Sequence, residues 1–258
     1  MGGWEISCAL APIWKRVMET PATSSHTSNH LLSSLSAADF DLLKEDLQGT
    51  ELPLRLPIEV PKEPISHIYF PGSGLISVVA TSNGKQQIEV GIIGREGMTG
   101  LSVIMGNSHA VHNTYVQVVG AGHRIMSKHL RLAMDESPSL RDSMLHFALA
   151  FINQVSHTAL SNGRAKIEER LARWLLMAHD RVDGNELRLT HEFLSLMMSV
   201  RRAGVTNAVS LLKSQGLIDG HAGKIIILDR AGLKLVAGGF YGKPEAEYKR
   251  LTGWSAKR

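Results

Sequence analysis

The chain has 258 residues and a mass of 28.2 kDa, is 43% hydrophobic and 20% charged, and has a mean hydropathy of −0.03. Such values belong to a folded globular protein and exclude a disordered or collagen-like chain, while the length allows one large domain or two modest ones. The net charge of +4 is segregated: residues 164–258 hold 17 Lys and Arg against 10 Asp and Glu, and residues 1–163 hold 11 against 14. A basic C-terminal third suits a polyanionic partner, nucleic acid ahead of a membrane surface.

One cysteine, Cys8, excludes an internal disulfide, a cysteine-built zinc cage and an iron–sulfur cluster, and makes a reducing compartment, the cytoplasm, the expected location. No apolar run reaches the roughly 18–20 residues that span a bilayer; the richest, Leu145 to Ile152, is short and contains His146. The first segment lacks a basic start and reads poorly as a signal peptide, so no membrane partner is expected.

Residues 1–29 read as a flexible lead-in, because 19–30 are Ser/Thr-rich and lack apolar periodicity. A short helix follows, with Ser36 as N-cap, Phe40, Leu43 and Leu47 at helical spacing, and an end at Gly49. From 51 to 126 the pattern changes. Four prolines between Pro53 and Pro64 break helices, and β-branched runs at Ile65 to Phe70, Leu75 to Thr81, Gln87 to Ile93 and Thr114 to Val119 predict short antiparallel strands. The Asn83-Gly84 pair between the second and third is a hairpin signal, since both residues accept positive φ. Residues 30–136 are therefore expected to form an antiparallel β-roll or jelly-roll barrel.

Pro138 opens a long helical pattern, and 137–163 reads as a dimerisation helix. Leu140, Met144, Phe147, Phe151, Val155 and Thr158 recur at spacings of four and three, an a/d seam that predicts a helix pair in a homodimer; the alternative is a helix packed on its own β-domain. A second helix carries Ile167, Leu171, Trp174, Leu175 and Ala178 on one face.

Residues 164–237 read as a winged helix-turn-helix. Phe193, Leu194, Met197 and Met198 form the apolar face of one helix, Ser199-Val200 a turn, and Val205, Ala208, Val209 and Leu212 the face of the next. Gly216 stands where a helix end takes the left-handed conformation, and a hairpin wing follows through Lys224 to Leu228. A helix about 10–12 Å across fits the major groove and presents the start of its exposed face to base edges. Arg201, Arg202, Ala203, Thr206, Asn207 and Ser210 occupy that part. Arg is the usual bidentate reader of guanine and Asn of adenine. The fold class expected is thus α+β: a β-roll, a long helix and a C-terminal winged helix-turn-helix, with 238–258 as a tail.

The run Leu189 to Leu228, LTHEFLSLMMSVRRAGVTNAVSLLKSQGLIDGHAGKIIIL, resembles the winged helix of the Crp/Fnr family of bacterial transcription regulators. Ile65 to Pro71, Ser73-Gly74 and Gly94 to Met98 are similar to that family's cyclic-nucleotide-binding-like barrel, and the 140–158 seam falls where the family has its dimer helix. The resemblance covers residues 30–237. It implies a homodimer on double-stranded DNA with RNA polymerase as a further contact. By position, Arg202 matches the arginine that the family's best-known member directs at guanine, and Arg201 a phosphate-contacting position. Ala203 replaces a base-reading glutamate and Asn207 a second arginine, so a different operator is implied.

The same resemblance makes Glu96 the effector-pocket candidate, where cyclic-nucleotide-binding members hold the ribose. Their phosphate-binding arginine has no counterpart in Gly106 to Val116, so cyclic AMP is not expected, unless Arg95 or Arg124 takes that role. Gly91, Gly94, Gly97 and Gly100 satisfy no phosphate-loop pattern and read as turn residues. His109 and His112 lack a third ligand, so no metal or other cofactor is expected. No catalytic constellation is found, and an enzyme is not expected. A signal-binding module whose winged helix contacts protein instead of DNA is the competing reading.

Overall fold

A computed structural model describes residues 27–83, 86–221 and 223–257. Most of the predicted lead-in, with Cys8, and the Gly84 half of the hairpin turn lie outside these residues. The first helices are α1 (His30–Ser33) and α2 (Ala37–Lys44), the latter capped by Ser36, whose hydroxyl accepts from the Asp39 amide. Helix α2 stops one turn earlier than predicted, because the chain passes at once into a strand. Asn29, placed in the lead-in by composition, is buried; its side chain caps α1 and donates to the carbonyls of Pro71 and Gly97 at 2.8 Å each.

Seven strands build the first domain: β1 (Gln48–Leu52), β2 (Pro57–Glu59), β3 (His67–Pro71), β4 (Leu75–Thr81), β5 (Gln87–Ile93), β6 (Asn113–Val118) and β7 (Gly120–Met126). They form two antiparallel sheets, ordered β1-β7-β3 and β2-β6-β4-β5. The sheets share one core in which Ile68 and Phe70 of one meet Ile76, Val78 and Val116 of the other. Strands β4 and β5 match their predicted bounds, whereas β1, β2 and β7 carry no apolar alternation and were not predicted.

The four-stranded sheet is buried on both faces, which explains the unbroken apolar run at the start of β4. Ile76 and Val78 point into the β-domain core, while Leu75 and Ile92 join a second core built by the C-terminal domain. An antiparallel sheet usually keeps one face wet. Here the second face receives helix α6 (Ile167–His179) and helix α7 (His191–Met197).

Beyond the strands lie α3 (Leu101–Ile104), α4 (Ser127–Glu136) and α5 (Pro138–Arg164). Ser137 caps α5 by accepting from the Leu140 amide, and Pro138 sits in its first turn, where a missing N–H costs nothing. The apolar stripe read as a dimer seam faces inward. Leu140, Met144, Phe147, Phe151 and Thr158 are buried in the protomer, and Val155 packs against the same core. Phe147 and Phe151 lie on β5 and the loop after it, so closely that a Cβ on Gly97 would come 2.0 Å from the Phe147 ring and one on Gly91 would come 2.7 Å from Phe151. A side chain enclosed by its own chain is not available to a second copy, and this corrects the six-residue interface. The outward stripe of α5 is a different one: Leu145, Leu149, Ile152 and Leu160, between 38% and 49% exposed.

The C-terminal domain continues with β8 (Glu186–Arg188), helix α8 (Arg202–Ser214), β9 (Ile218–His221), β10 (Lys224–Ile227) and α9 (Arg230–Ala237). Residues after 237 return to the first domain. A 3-10 turn at 238–240 leads to α10 (Lys243–Thr252), which packs along α5, and Tyr248 and Trp254 enter the β-domain core. Among the described residues no helix is long and apolar enough to cross a membrane.

The Gly97–Phe147 contact yields a direct expectation. Gly97→Ala should cost about 1–3 kcal/mol through overpacking, read as a lower urea midpoint with unchanged slope; an unchanged midpoint would mean that the ring gives way freely.

Candidate nucleic-acid interface

Helix α7 starts at Thr190, whose hydroxyl accepts from the Phe193 amide, and buries Leu194 and Met197. The turn after it reverses the chain at Ser199, with φ +49, a left-handed conformation uncommon outside glycine and asparagine. Helix α8 then buries Val205, Ala208, Val209 and Leu212, the face predicted from their spacing. Gly204 lets its first turn approach α6, since a Cβ there would lie 3.1 Å from Ile167 Cδ1. Gly216 ends the segment at φ +71, where glycine carries no Cβ penalty.

All six predicted contact residues are exposed: Arg201, Arg202, Ala203, Thr206, Asn207 and Ser210. Thr206 is engaged locally, donating to the Arg202 carbonyl at 3.1 Å and lying 3.2 Å from His191 Nδ1. His191 was missed by the sequence reading. Its one signal is its place as the first residue after the Thr190 cap, which brings it beside the second helix.

The free positive charge is narrower than the overall balance suggested. Lys213 pairs with Asp219 at 2.7 Å, Lys224 with Glu186 at 3.1 Å, and Arg188 with Glu186 at 3.4 Å. Arg181, Arg230 and Arg250 are paired as well, and Arg173 is buried. Arg201 and Arg202 have no carboxylate partner among the described residues, and they stand at the N-terminal end of α8, where the helix dipole also favours anions.

The wing has three strands, ordered β8-β10-β9, with Lys224 facing Arg188 on one side and His221 on the other. Only the hairpin had been predicted. Three residues of β8 are too few for a periodic signal.

Residues 169–236 match the family model described as a Crp-like helix-turn-helix domain. This stretch of the chain is a Crp-like helix-turn-helix domain. Solved structures of similar fold include FixK2 from Bradyrhizobium japonicum, at 15% identity and TM-score 0.65 over 75% of this chain and 98% of that one. TTHB099, a CRP-family transcriptional regulator from Thermus thermophilus, shares 17% identity at TM-score 0.61 over 74% and 97%. The c-di-GMP-responsive global regulator CLP from Xanthomonas campestris shares 15% at TM-score 0.59 over 74% and 99%. No curated protein matches the chain. At such identities the structural likenesses speak for the fold alone.

Glu96, the effector-pocket candidate, lies in the protein interior. It is fully buried, accepts from the Gly94 amide, and receives Arg181 Nε at 2.7 Å from the segment after α6. The Arg181 guanidinium also donates to the Met177 carbonyl and lies 5.8 and 5.2 Å from the ring centroids of Tyr248 and Trp254. Burial works against its charge, but Glu96 holds it firmly protonated. Glu96 is thus bound to a partner 85 positions away in the chain. Arg95, the alternative phosphate ligand, instead pairs with Asp183 at 2.9 Å, a second ionic link between the domains.

An open cleft of about 1070 Å³ lies elsewhere, between the β-domain and α7, lined by Leu54, Arg55, Tyr115, Arg188, Phe193 and Arg201 among others. Among the described residues no group of three His, Cys, Asp or Glu is placed to hold a metal.

Removing one member of the Glu96–Arg181 pair leaves the other charge buried and unmatched. Glu96→Gln should lower unfolding free energy by about 3–5 kcal/mol, measured by chemical denaturation; a loss below about 1 kcal/mol would place the pair in water.

Proposed function

We propose that the protein acts as a cytoplasmic homodimer that reads a palindromic operator in double-stranded DNA through helix α8, and that it regulates transcription without catalysing a reaction. The observation that carries this reading is the pair Arg201 and Arg202, exposed and without a carboxylate partner at the start of α8, with Asn207 one turn further on. Arg201 is assigned to phosphate, and Arg202 and Asn207 to base edges. A bidentate base contact supplies about 1–3 kcal/mol of discrimination, whereas a phosphate contact acts on every sequence alike.

The outward stripe of α5 supports the homodimer. Leu145, Leu149 and Ile152 are spaced by four and three, the repeat of a two-helix seam, and a two-fold axis brings the same stripe of a second copy onto it. The two α8 helices would then meet half-sites about one helical turn, 34–36 Å, apart. RNA polymerase is the further contact that a regulator of this type would make.

Cyclic AMP is not the effector in this reading. The place expected for its ribose is occupied by the Glu96–Arg181 pair, and Phe147 and Phe151 fill the space against Gly97 and Gly91. No metal or cofactor is assigned. A small effector, where one acts, has room in the cleft beside Arg201.

Operator selection from a random duplex pool supplies the probe for Arg202→Ala, which should weaken the selected site by about 1–3 kcal/mol and leave random duplex nearly unchanged. Arg201→Ala should weaken both and reduce the salt slope by about one. Identical behaviour of the two variants, or binding that ignores salt, would refute base reading and favour a protein partner. For assembly, light scattering should find the wild type dimeric and Ile152→Asp monomeric yet folded; a monomeric wild type at micromolar concentration would remove the α5 seam.

A further inference from the structure

The cleft of about 1070 Å³ between the β-domain and α7 has a polar floor, apolar walls and a basic rim. Its floor is the outer face of β6. Val116 enters the β-domain core, so its neighbours Tyr115 and Gln117 face the other way and line the cleft. Gln117 is only 8% exposed, yet its side-chain amide has no hydrogen-bond partner among the described residues. The Tyr115 hydroxyl has a weak acceptor, the Met197 sulfur at 3.8 Å. An amide so placed gains from a partner brought into the cleft.

The walls keep large apolar side chains in water. Leu54, on the loop before β2, is 56% exposed, and Leu196, on the α7 side with Phe193 and Val200, is 42% exposed. The rim is cationic: Arg55, Arg188 and Arg201 line the cleft against one carboxylate, Glu192. Arg55 follows Leu54 directly, in a left-handed conformation at φ +64, with its amide fixed on the Val116 carbonyl at 2.9 Å. It has no carboxylate partner among the described residues. Burial pushes the Tyr115 phenol up to about 12, and the Arg55 charge is close enough to pull against that rise, which places the guanidinium near the floor.

We propose that the cleft binds a small organic acid with an apolar tail, its carboxylate held by Arg55 and the Gln117 amide and its tail laid between Leu54 and Leu196. As an effector site the cleft rests on the functional reading above, but ligand binding is measured without DNA, so the failure of one is distinguishable from the failure of the other. A guanidinium can meet both carboxylate oxygens through parallel N–H bonds, and the Gln117 NH₂ supplies a further donor. Arg188 and Arg201 add positive potential around the head group. An inorganic anion would meet these cations but leave the two leucines wet, and an alcohol would cover the leucines but leave Arg55 without a counter-charge. Only a ligand with both parts answers a lining of apolar walls and a few placed polar groups.

The test is a titration of full-length protein carrying ¹³C-labelled leucine methyl groups, with the Leu54 and Leu196 signals assigned from Leu54→Ile and Leu196→Ile. Octanoate, octan-1-ol and inorganic phosphate are the probes. Octanoate should move both signals saturably with a Kd below about 1 mM, and the alcohol and phosphate should each bind at least about tenfold more weakly. Arg55→Gln, at an exposed loop position, should weaken octanoate at least about tenfold and leave octan-1-ol unchanged, and Gln117→Leu should weaken octanoate about fivefold. Absence of a saturable octanoate shift up to about 10 mM, an alcohol bound as tightly as the acid, or octanoate binding unchanged in Arg55→Gln would each overturn the site.

Discussion

The arrangement of this molecule depends on one ion pair, Arg181 with Glu96, closed away from water at 2.7 Å. Neither charge is tolerable there alone, and the desolvation of two buried ions is recovered only with good geometry and additional partners. Those partners are present: the Gly94 amide on the carboxylate, the Met177 carbonyl and two aromatic faces on the guanidinium. Each comes from a different part of the chain. The pair therefore requires the β-domain, the end of α6 and the returning tail to be in place together, and since α8 packs on α6, the orientation of the recognition helix follows from it.

Around that pair the β4–β5 hairpin works as a partition wall. One face holds Ile76, Val78 and Ile93 for the first core; the other holds Leu75 and Ile92 for the second, with Ser77 and Glu89 between them. The domains consequently share a sheet instead of meeting through a flexible linker. Helix α5 closes the inner side, where glycines at 91 and 97 allow two phenylalanine rings to lie against the backbone, and the tail rings of Tyr248 and Trp254 complete the packing. The Arg230–Asp180 pair and the Tyr241 hydroxyl tie the far end of the tail to the second domain.

Local physics was legible in the sequence. Ser36 and Gly216 act as end signals because caps depend on neighbours a few residues away, and the buried faces of α7 and α8 follow from period alone. The exposed face of α8 was readable for the same reason. The direction of the α5 stripe was not: a seam that meets a second copy and one that meets the chain's own sheet have the same spacing, and only the position of Gly91 and Gly97 separates them. Strand β7 was hidden for a related reason. Its glycines read as breakers, yet a Cβ on Gly120 or Gly122 would strike the carbonyl of Ser73 or Phe70, so glycine is what lets the strand pass. Glu96 and Glu89 took partners 85 positions away in Arg181 and Trp174, a distance at which spacing carries no information.

The three-stranded wing closes the helix-turn-helix at its root. Strand β8 enters before α7 and β10 leaves after the hairpin, and in register Arg188 stands opposite Lys224, so the two ends of the intervening segment lie about 5 Å apart. Everything that faces outward on α8 is contained between those ends, while the contacts that hold the domain to the rest of the chain are made by α6, α9, the tail and the inner face of α7 against β5. Recognition is thus a cassette with adjacent terminals. Its outward residues can change while the inner faces of α7 and α8 keep their packing on β5 and α6, which gives a fold of this kind a short route to new DNA targets.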